Sequence, residues 1–307
     1  MSKTVVILGA KGRFGRNAVE AFHNAGWHVI ATGRKLNESM FPHGTEIRHC
    51  DLTDRDSTIA ACVDADVIIH AAHPLYTEWE KFTPTYTSNV IAAAKHCEAT
   101  IMIPGNVYNY GAAMPDVLRE ETPQRPTARK GRIRVEMEKT FAKEAKNGVQ
   151  TIILRAGDFF EGVDTGTWFE SLMVNKLDKG VLTYPGDMDA IHAWAFLPDM
   201  ARAMVGLAEQ RDSLGHFEEF GFEGYALTGH DLKALVEKSI GRTVKAKSMP
   251  WGIMRLIAPF KPLIGEVLEM KYLWTTPHRI DGLKLRKALP DFQPTPVEQA
   301  IKIGISG

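Results

Sequence analysis

Gly9, Gly12 and Gly15 stand three residues apart directly after the apolar run Val5-Val6-Ile7-Leu8, and an amphipathic stretch over residues 14–25 follows them. That arrangement suits a phosphate-bearing ligand. A strand must turn sharply into a helix, its backbone must approach a pyrophosphate closely, and the helix must pack against the sheet; a side chain obstructs each step. The start of the helix then offers unpaired N–H groups and a partial positive charge. Gly9, Lys11, Gly12, Arg13, Phe14 and Gly15 are therefore candidate dinucleotide-binding residues,. The next apolar run ends at Ala31-Thr32-Gly33-Arg34-Lys35, where a carboxylate would hold the adenosine ribose hydroxyls of NAD,. No acid stands there. Arg34, with Arg13 or Lys11, can make charge-assisted, partly bidentate bonds to a 2′-phosphate, so NADP(H) is expected over NAD(H).

Elements that could position this turn recur through the first half of the chain. Strand-like runs at residues 4–8, 27–31, 45–49, 67–70, 100–103 and 151–154 alternate with helical patterns at 14–25, 57–62, 86–98 and 132–147,. Serial βαβ units predict an α/β fold: a Rossmann-like, doubly wound parallel sheet with a smaller C-terminal substrate cap. Residues 1–155, joined by 190–212, form the expected dinucleotide-binding part, and residues 156–189 and 213–307 the cap. Glycines loosen the pattern after Arg155, and Asp158, Phe159, Phe160, Glu161, Asp164 and Trp168 cluster there like a pocket wall. Helical patterns return at residues 197–209 and 229–240. The apolar residues Trp251, Ile253, Met254, Leu256, Ile257 and Phe260 read better as the packed underside of a cap than as a partner-binding or membrane-surface stripe.

Lysine plus arginine total 37, equal to aspartate plus glutamate, so no overall basic field exists to hold nucleic acid or an anionic membrane,. A small-molecule substrate becomes the default expectation. Cys50, Cys62 and Cys97 are too widely spaced for a zinc set or a disulfide framework, which points to a reducing cytoplasm,. Arg255, Pro259, Lys261 and Pro262 interrupt the most apolar late segment, well short of the roughly 20 residues a membrane span needs. The 11 histidines show no i, i+4 pair with an adjoining acid, so no metal site is expected,.

With these landmarks the chain resembles the extended short-chain dehydrogenase/reductase superfamily of sugar-nucleotide epimerases, dehydratases and related reductases. The resemblance runs nearly end to end. It implies that Asp51 lies near the adenine amino group with Leu52 against the ring, and that Ala71, Ala72 and His73, after His70, pass beside the cofactor ribose. Ser88-Asn89-Val90, Tyr110-Gly111, Leu154-Arg155-Ala156-Gly157, Phe196-Leu197-Pro198-Asp199 and residues 290–297 follow in the order of the family's later landmarks. A homodimer through the helices at 86–98 and 132–147 is implied as well. His192 stands where many sugar-nucleotide relatives carry an arginine, which weakens the expectation of a sugar-diphosphate substrate.

The catalytic set departs from the superfamily. Members typically carry Ser or Thr after the fifth strand and a Tyr-x-x-x-Lys on the next helix. Here Gly105-Asn106 takes the first place, and Lys130 and Arg134 take the tyrosine and lysine places; the chain contains no Tyr-x-x-x-Lys at all. Two readings follow. In one, proton transfer survives with Lys130, its pKa lowered by Arg134, with Tyr108 or Tyr110 as donor and Asn106 bonding a substrate carbonyl. The expected reaction is then NADPH-dependent reduction of a small carbonyl compound, or epimerase/dehydratase-like chemistry. In the other, the site is inactive and the protein senses NADP(H). The cofactor expectation is checked by Arg34→Ala, which should weaken NADPH binding by roughly ten-fold or more while leaving NADH binding nearly unchanged. Equal effects on both cofactors would refute it.

Overall fold

Val5, Val6, Ile7 and Leu8 are fully buried, as a strand covered on both faces requires,. They belong to β1 (Thr4–Leu8), from which strand and crossover alternate: α1 (Arg13–Asn24), β2 (His28–Gly33), β3 (Glu46–His49), α2 (Arg55–Ala61), β4 (Val67–His70), α3 (Trp79–Cys97) and β5 (Thr100–Gly105). A two-residue strand β6 (Val117–Leu118), α4 (Arg129–Ala145) and β7 (Thr151–Arg155) follow. The computed structural model describes residues 3–162 and 166–306. Its remaining elements are β8 (Asp158–Phe160), β9 (Val181–Tyr184), β10 (His192–Phe196), α5 (Leu197–Glu209), β11 (Phe217–Gly221), β12 (Tyr225–Leu227), α6 (Gly229–Ile240), β13 (Lys245–Ser248), α7 (Trp251–Ile257), α8 (Pro262–Glu269), β14 (Arg279–Ile280), α9 (Leu283–Ala288) and α10 (Val297–Ser306).

The main sheet has seven strands in the order β11-β7-β5-β4-β1-β2-β3, every pairing parallel. Leu8 lies level with Thr32 on one side and His70 on the other. The chain leaves β1 and β4 toward opposite halves of the sheet, which opens a crevice at their carboxyl ends. Buried residues of α1 and α5 pack one face, and those of α2, α3 and α4 the other. This is the expected doubly wound fold.

Two segments fall on the other side of the division drawn from the sequence. β11, within residues assigned to the cap, closes the main sheet beside β7. Its Phe-Glu-Glu-Phe-Gly sequence hides the strand, because both acids meet cations: Glu219 takes Arg155 Nε at 2.6 Å and Glu218 takes Lys284 Nζ at 2.5 Å. β10, within residues assigned to the dinucleotide part, lies between β8 and β12 in the cap's own sheet, whereas α5 packs on α1 as expected. Helix α3 begins at Trp79, well ahead of residue 86. Pro84 reads as a break in the pattern, yet it lies inside the helix; Trp79 anchors the start, buried and donating Nε1–H to the Pro74 carbonyl at 3.0 Å.

The cap core gathers Phe160, Phe169, Tyr184, Trp194 and Trp274 around β8 and β10. Of the α7–α8 hairpin, only Trp251 packs against it. Contrary to the packed underside expected, no residue of either helix is buried, and Leu256 and Phe260 are 77% and 85% exposed. The hairpin is held at its base. Trp251 Nε1 donates to the Pro185 carbonyl at 2.6 Å, and fully buried Lys130 of α4 pairs with the Glu266 carboxylate and with Glu269 at 2.8 Å.

Two consequences are measurable. Lys130→Met leaves partly enclosed Glu269 without its cation and Glu266 with Arg129 alone, and should cost about 3 kcal/mol of stability, read from a urea titration,; an unchanged midpoint would contradict the ion-paired role. Burial holds the His70 and His278 imidazoles down at about 3, against 6.5 when free. The unfolded chain therefore binds more protons below 6.5, and stability should fall as pH drops from there, by about 1.4 kcal/mol per unit for each imidazole. Replacing His278 by Asn should flatten that slope.

Candidate functional site

The glycine turn is built by close approach. Gly9 has φ +82°, and a Cβ there would lie 2.7 Å from the Ala72 Cα, so the loops leaving β1 and β4 touch with no room for a side chain,. A Cβ on Gly15 would lie 2.2 Å from the Gly9 carbonyl oxygen. Gly12 caps α1 with no side-chain cap, and no acid stands in the first turn. The residues present therefore fit a pyrophosphate at the start of this helix.

Beside the turn, a recess of about 470 Å³ is lined by Gly9, Lys11, Thr32, Gly33, Arg34, Lys35 and Leu36. Its lining holds three cations and no acid. Lys11 shares the recess with Arg34. Arg13 turns the other way, donating its guanidinium N–H to the Gly166 carbonyl and bordering the neighbouring cavity. Asp51 accepts the Thr53 N–H at 3.0 Å and its hydroxyl at 2.8 Å, and these bonds hold its carboxyl below the usual range. Leu52 is buried next to it, its carbonyl bound by Asn89 Nδ2 at 2.9 Å.

A second cavity, of about 360 Å³, runs across the ends of β1, β4 and β5 to the cap. Gly12, Arg13, Phe14, Ala71, Ala72 and His73 border it on the turn side. Asn106, Tyr108 and Arg134 line it on the other. The Tyr108 and Tyr76 hydroxyls are 3.2 Å apart. Burial raises both phenols, Tyr108 well above its usual value, so both are neutral near pH 7. Asn106 Oδ1 accepts the Tyr108 N–H at 3.1 Å. Arg134 donates to the Pro104 carbonyl at 3.0 Å, while its Nε is buried without a hydrogen-bond partner. That donor is available to a ligand.

The cap side contributes Asp158, Phe159 and Trp168. Asp158 Oδ2 bonds His192 Nε2 at 2.7 Å; the His192 ring stacks on Trp274 at 4.2 Å and meets the His278 edge at 4.7 Å. The site thus carries a neutral phenol pair, a fixed cation and a carboxylate around one cavity.

Lys130 and Arg134, four residues apart, separate. Arg134 lines the cavity; Lys130 lies behind it, enclosed by Glu266, Glu269 and the Tyr76 ring 5.0 Å away. Of the two tyrosines offered as donors, Tyr108 faces the cavity and Tyr110 gives its hydroxyl to Glu219 at 3.3 Å. Phe160 packs in the cap core, Glu161 accepts from Asn17 at 2.6 Å, and Asp164 lies outside the described residues. Tyr76 was missed because it opens a single 3-10 turn after β4, too short for any periodicity to mark it. Glu266 and Glu269 carry a signal, an i, i+3 acid pair in an otherwise acid-free stretch, but nothing in sequence names their partner.

The profile of the NAD dependent epimerase/dehydratase family matches residues 5–221. In three dimensions the chain is similar to the UDP-glucose 4-epimerase of Brucella ovis in complex with NAD, with TM-score 0.79 and 14% identity over 99% of this chain and 98% of that one. It is similar to the UDP-N-acetylglucosamine 4-epimerase of Bacillus cereus (TM-score 0.75, 15% identity, 98% and 97% covered). A third neighbour is MoeE5 in complex with UDP-glucuronic acid and NAD (TM-score 0.76, 17% identity, 99% and 98% covered). No curated protein matches the chain in sequence. The structural likenesses establish the fold, and with a family profile matched over more than half its length, the chain belongs to the NAD dependent epimerase/dehydratase family.

Proposed function

We propose that the protein is an NADP(H)-dependent oxidoreductase that reduces a small carbonyl compound. The observation that carries this reading is the neutral Tyr76–Tyr108 phenol pair facing the cavity beside Arg134. Gly9, Gly12 and Gly15 would hold a nicotinamide dinucleotide, whose chemistry there would be hydride donation to a carbonyl carbon,. Tyr108 gives its hydroxyl proton to the oxygen as negative charge develops there, and Tyr76 supports it by hydrogen bonding. Arg134, the cation bordering the same space, holds ribose hydroxyls and steadies that charge. Asn106 is placed to orient the carbonyl.

Direction follows from protonation. A phenol raised by burial stays protonated near pH 7, so it carries a proton to give and is not a base, which suits reduction better than the deprotonation that epimerisation or dehydration begins with,. The Lys11, Arg34 and Lys35 recess supports NADP(H) over NAD(H), since a 2′-phosphate supplies the missing anion,. Asp158 accepts a substrate hydroxyl or N–H and disfavours a second anion, which supports a neutral substrate over a sugar diphosphate. Free Cys50, Cys62 and Cys97 support a reducing compartment, the cytoplasm, and exposed Ser88, Arg132 and Glu136 leave α3 and α4 an uncovered side, which is compatible with a homodimer through these helices.

The test is a panel of aldehydes and ketones with NADPH. Turnover is expected, and Tyr108→Phe should lower kcat about 100-fold with NADPH affinity unchanged. Tight NADPH binding with no turnover across the panel would overturn the oxidoreductase reading in favour of a cofactor sensor, as the loss of Tyr-x-x-x-Lys and the pairing of Lys130 would then suggest.

A further inference from the structure

The α7–α8 hairpin leaves a large apolar surface uncovered. Ile253 and Leu256 on α7, Phe260 in the connecting turn and Leu263 on α8 are 60%, 77%, 85% and 60% exposed. Isolated exposed leucines are ordinary; four large apolar side chains exposed together on two short helices and their turn, none of whose residues is fully buried, are not,. No helix among the described residues is long and apolar enough to cross a membrane, so the hairpin can at most lie on a surface.

Charge identifies the surface. From Arg242 to Gly265 the chain carries five cations, Arg242, Lys245, Lys247, Arg255 and Lys261, and no acid. Lys245, Lys247, Arg255 and Lys261 are exposed. The first acids beyond, Glu266 and Glu269, turn toward Lys130 and Arg129. An apolar tip that carries exposed Arg255 and Lys261 and no acid complements an anionic lipid surface, with the cations at the headgroups and the apolar side chains in the acyl boundary,. A symmetric contact with a second copy would set these cations against one another.

We propose that the α7–α8 hairpin docks this protein on membranes bearing anionic lipids. Docking holds the cap at the interface while the main sheet stays in water. Because α8 also holds Lys130, whose ammonium lies over the Tyr76 ring, the docking element is joined directly to the wall of the cavity.

The test is flotation of the full-length protein with vesicles of phosphatidylcholine alone and of phosphatidylcholine with phosphatidylserine. Binding is expected on the phosphatidylserine vesicles and should weaken as salt is added. The double variant Leu256→Glu, Phe260→Glu should bind at least about ten-fold more weakly, and Lys261→Gln about five-fold more weakly. Both should keep the wild-type unfolding midpoint and NADPH affinity. No flotation with phosphatidylserine, or flotation the double variant does not weaken, would overturn the proposal. So would a concentration-dependent dimer abolished by the double variant, which would assign the face to a second copy.

Discussion

The carboxylate of Glu138, 3% exposed, is the point at which the sheet, the helix α4 and the loop after β5 are tied together. Arg155 at the end of β7 donates to it at 2.7 Å, Asn109 of the loop after β5 donates at 2.7 Å, and Arg134 on its own helix approaches at 3.5 Å. Arg155 also donates to the Asn106 carbonyl at 2.7 Å and to Glu219 on β11 at 2.6 Å. A buried carboxylate with several donors is costly to disrupt, because removing one partner strands the others without solvent. The network fixes where Asn106 and Tyr108 stand relative to Arg134. It is also what lets an acidic strand occupy the edge of the main sheet.

The two ends of the site depend on different physics. At the turn, absence of side chains sets the geometry: Gly9 against Ala72 and Gly15 against the Gly9 carbonyl bring two loops close enough to cradle a pyrophosphate. At the cavity, burial sets the chemistry, because desolvation keeps the phenols protonated and the imidazoles of His70 and His278 neutral,. Lys130, where the superfamily's tyrosine is expected, is used to dock the hairpin. In the proposed reaction the proton donor is instead a tyrosine on another element.

Much of this was legible along the chain, since the signals were local. Alternating apolar runs and glycine spacing located α1 and the strands β1, β2, β3, β4, β5 and β7, and α5 and α6 emerged with their observed bounds. What stayed hidden depends on contacts between distant residues. Phe217–Gly221 does not look like a strand until Arg155 and Lys284 neutralise its acids. Lys130 looks like an active-site cation until Glu266 and Glu269 arrive from the other end of the chain. The apolar 251–263 segment looked like core because composition reports what a face is made of and never what covers it.

The central claim is that this crevice binds a nicotinamide dinucleotide and passes hydride between it and a carbonyl carbon. The most direct measurement is to supply NADPH deuterated at C4 of the nicotinamide, on either face, with a mixed carbonyl panel and follow the label by mass spectrometry. Deuterium is expected on the carbinol carbon of a product from one face of the cofactor only. Stoichiometrically bound NADPH whose label never leaves, from either face, would contradict it.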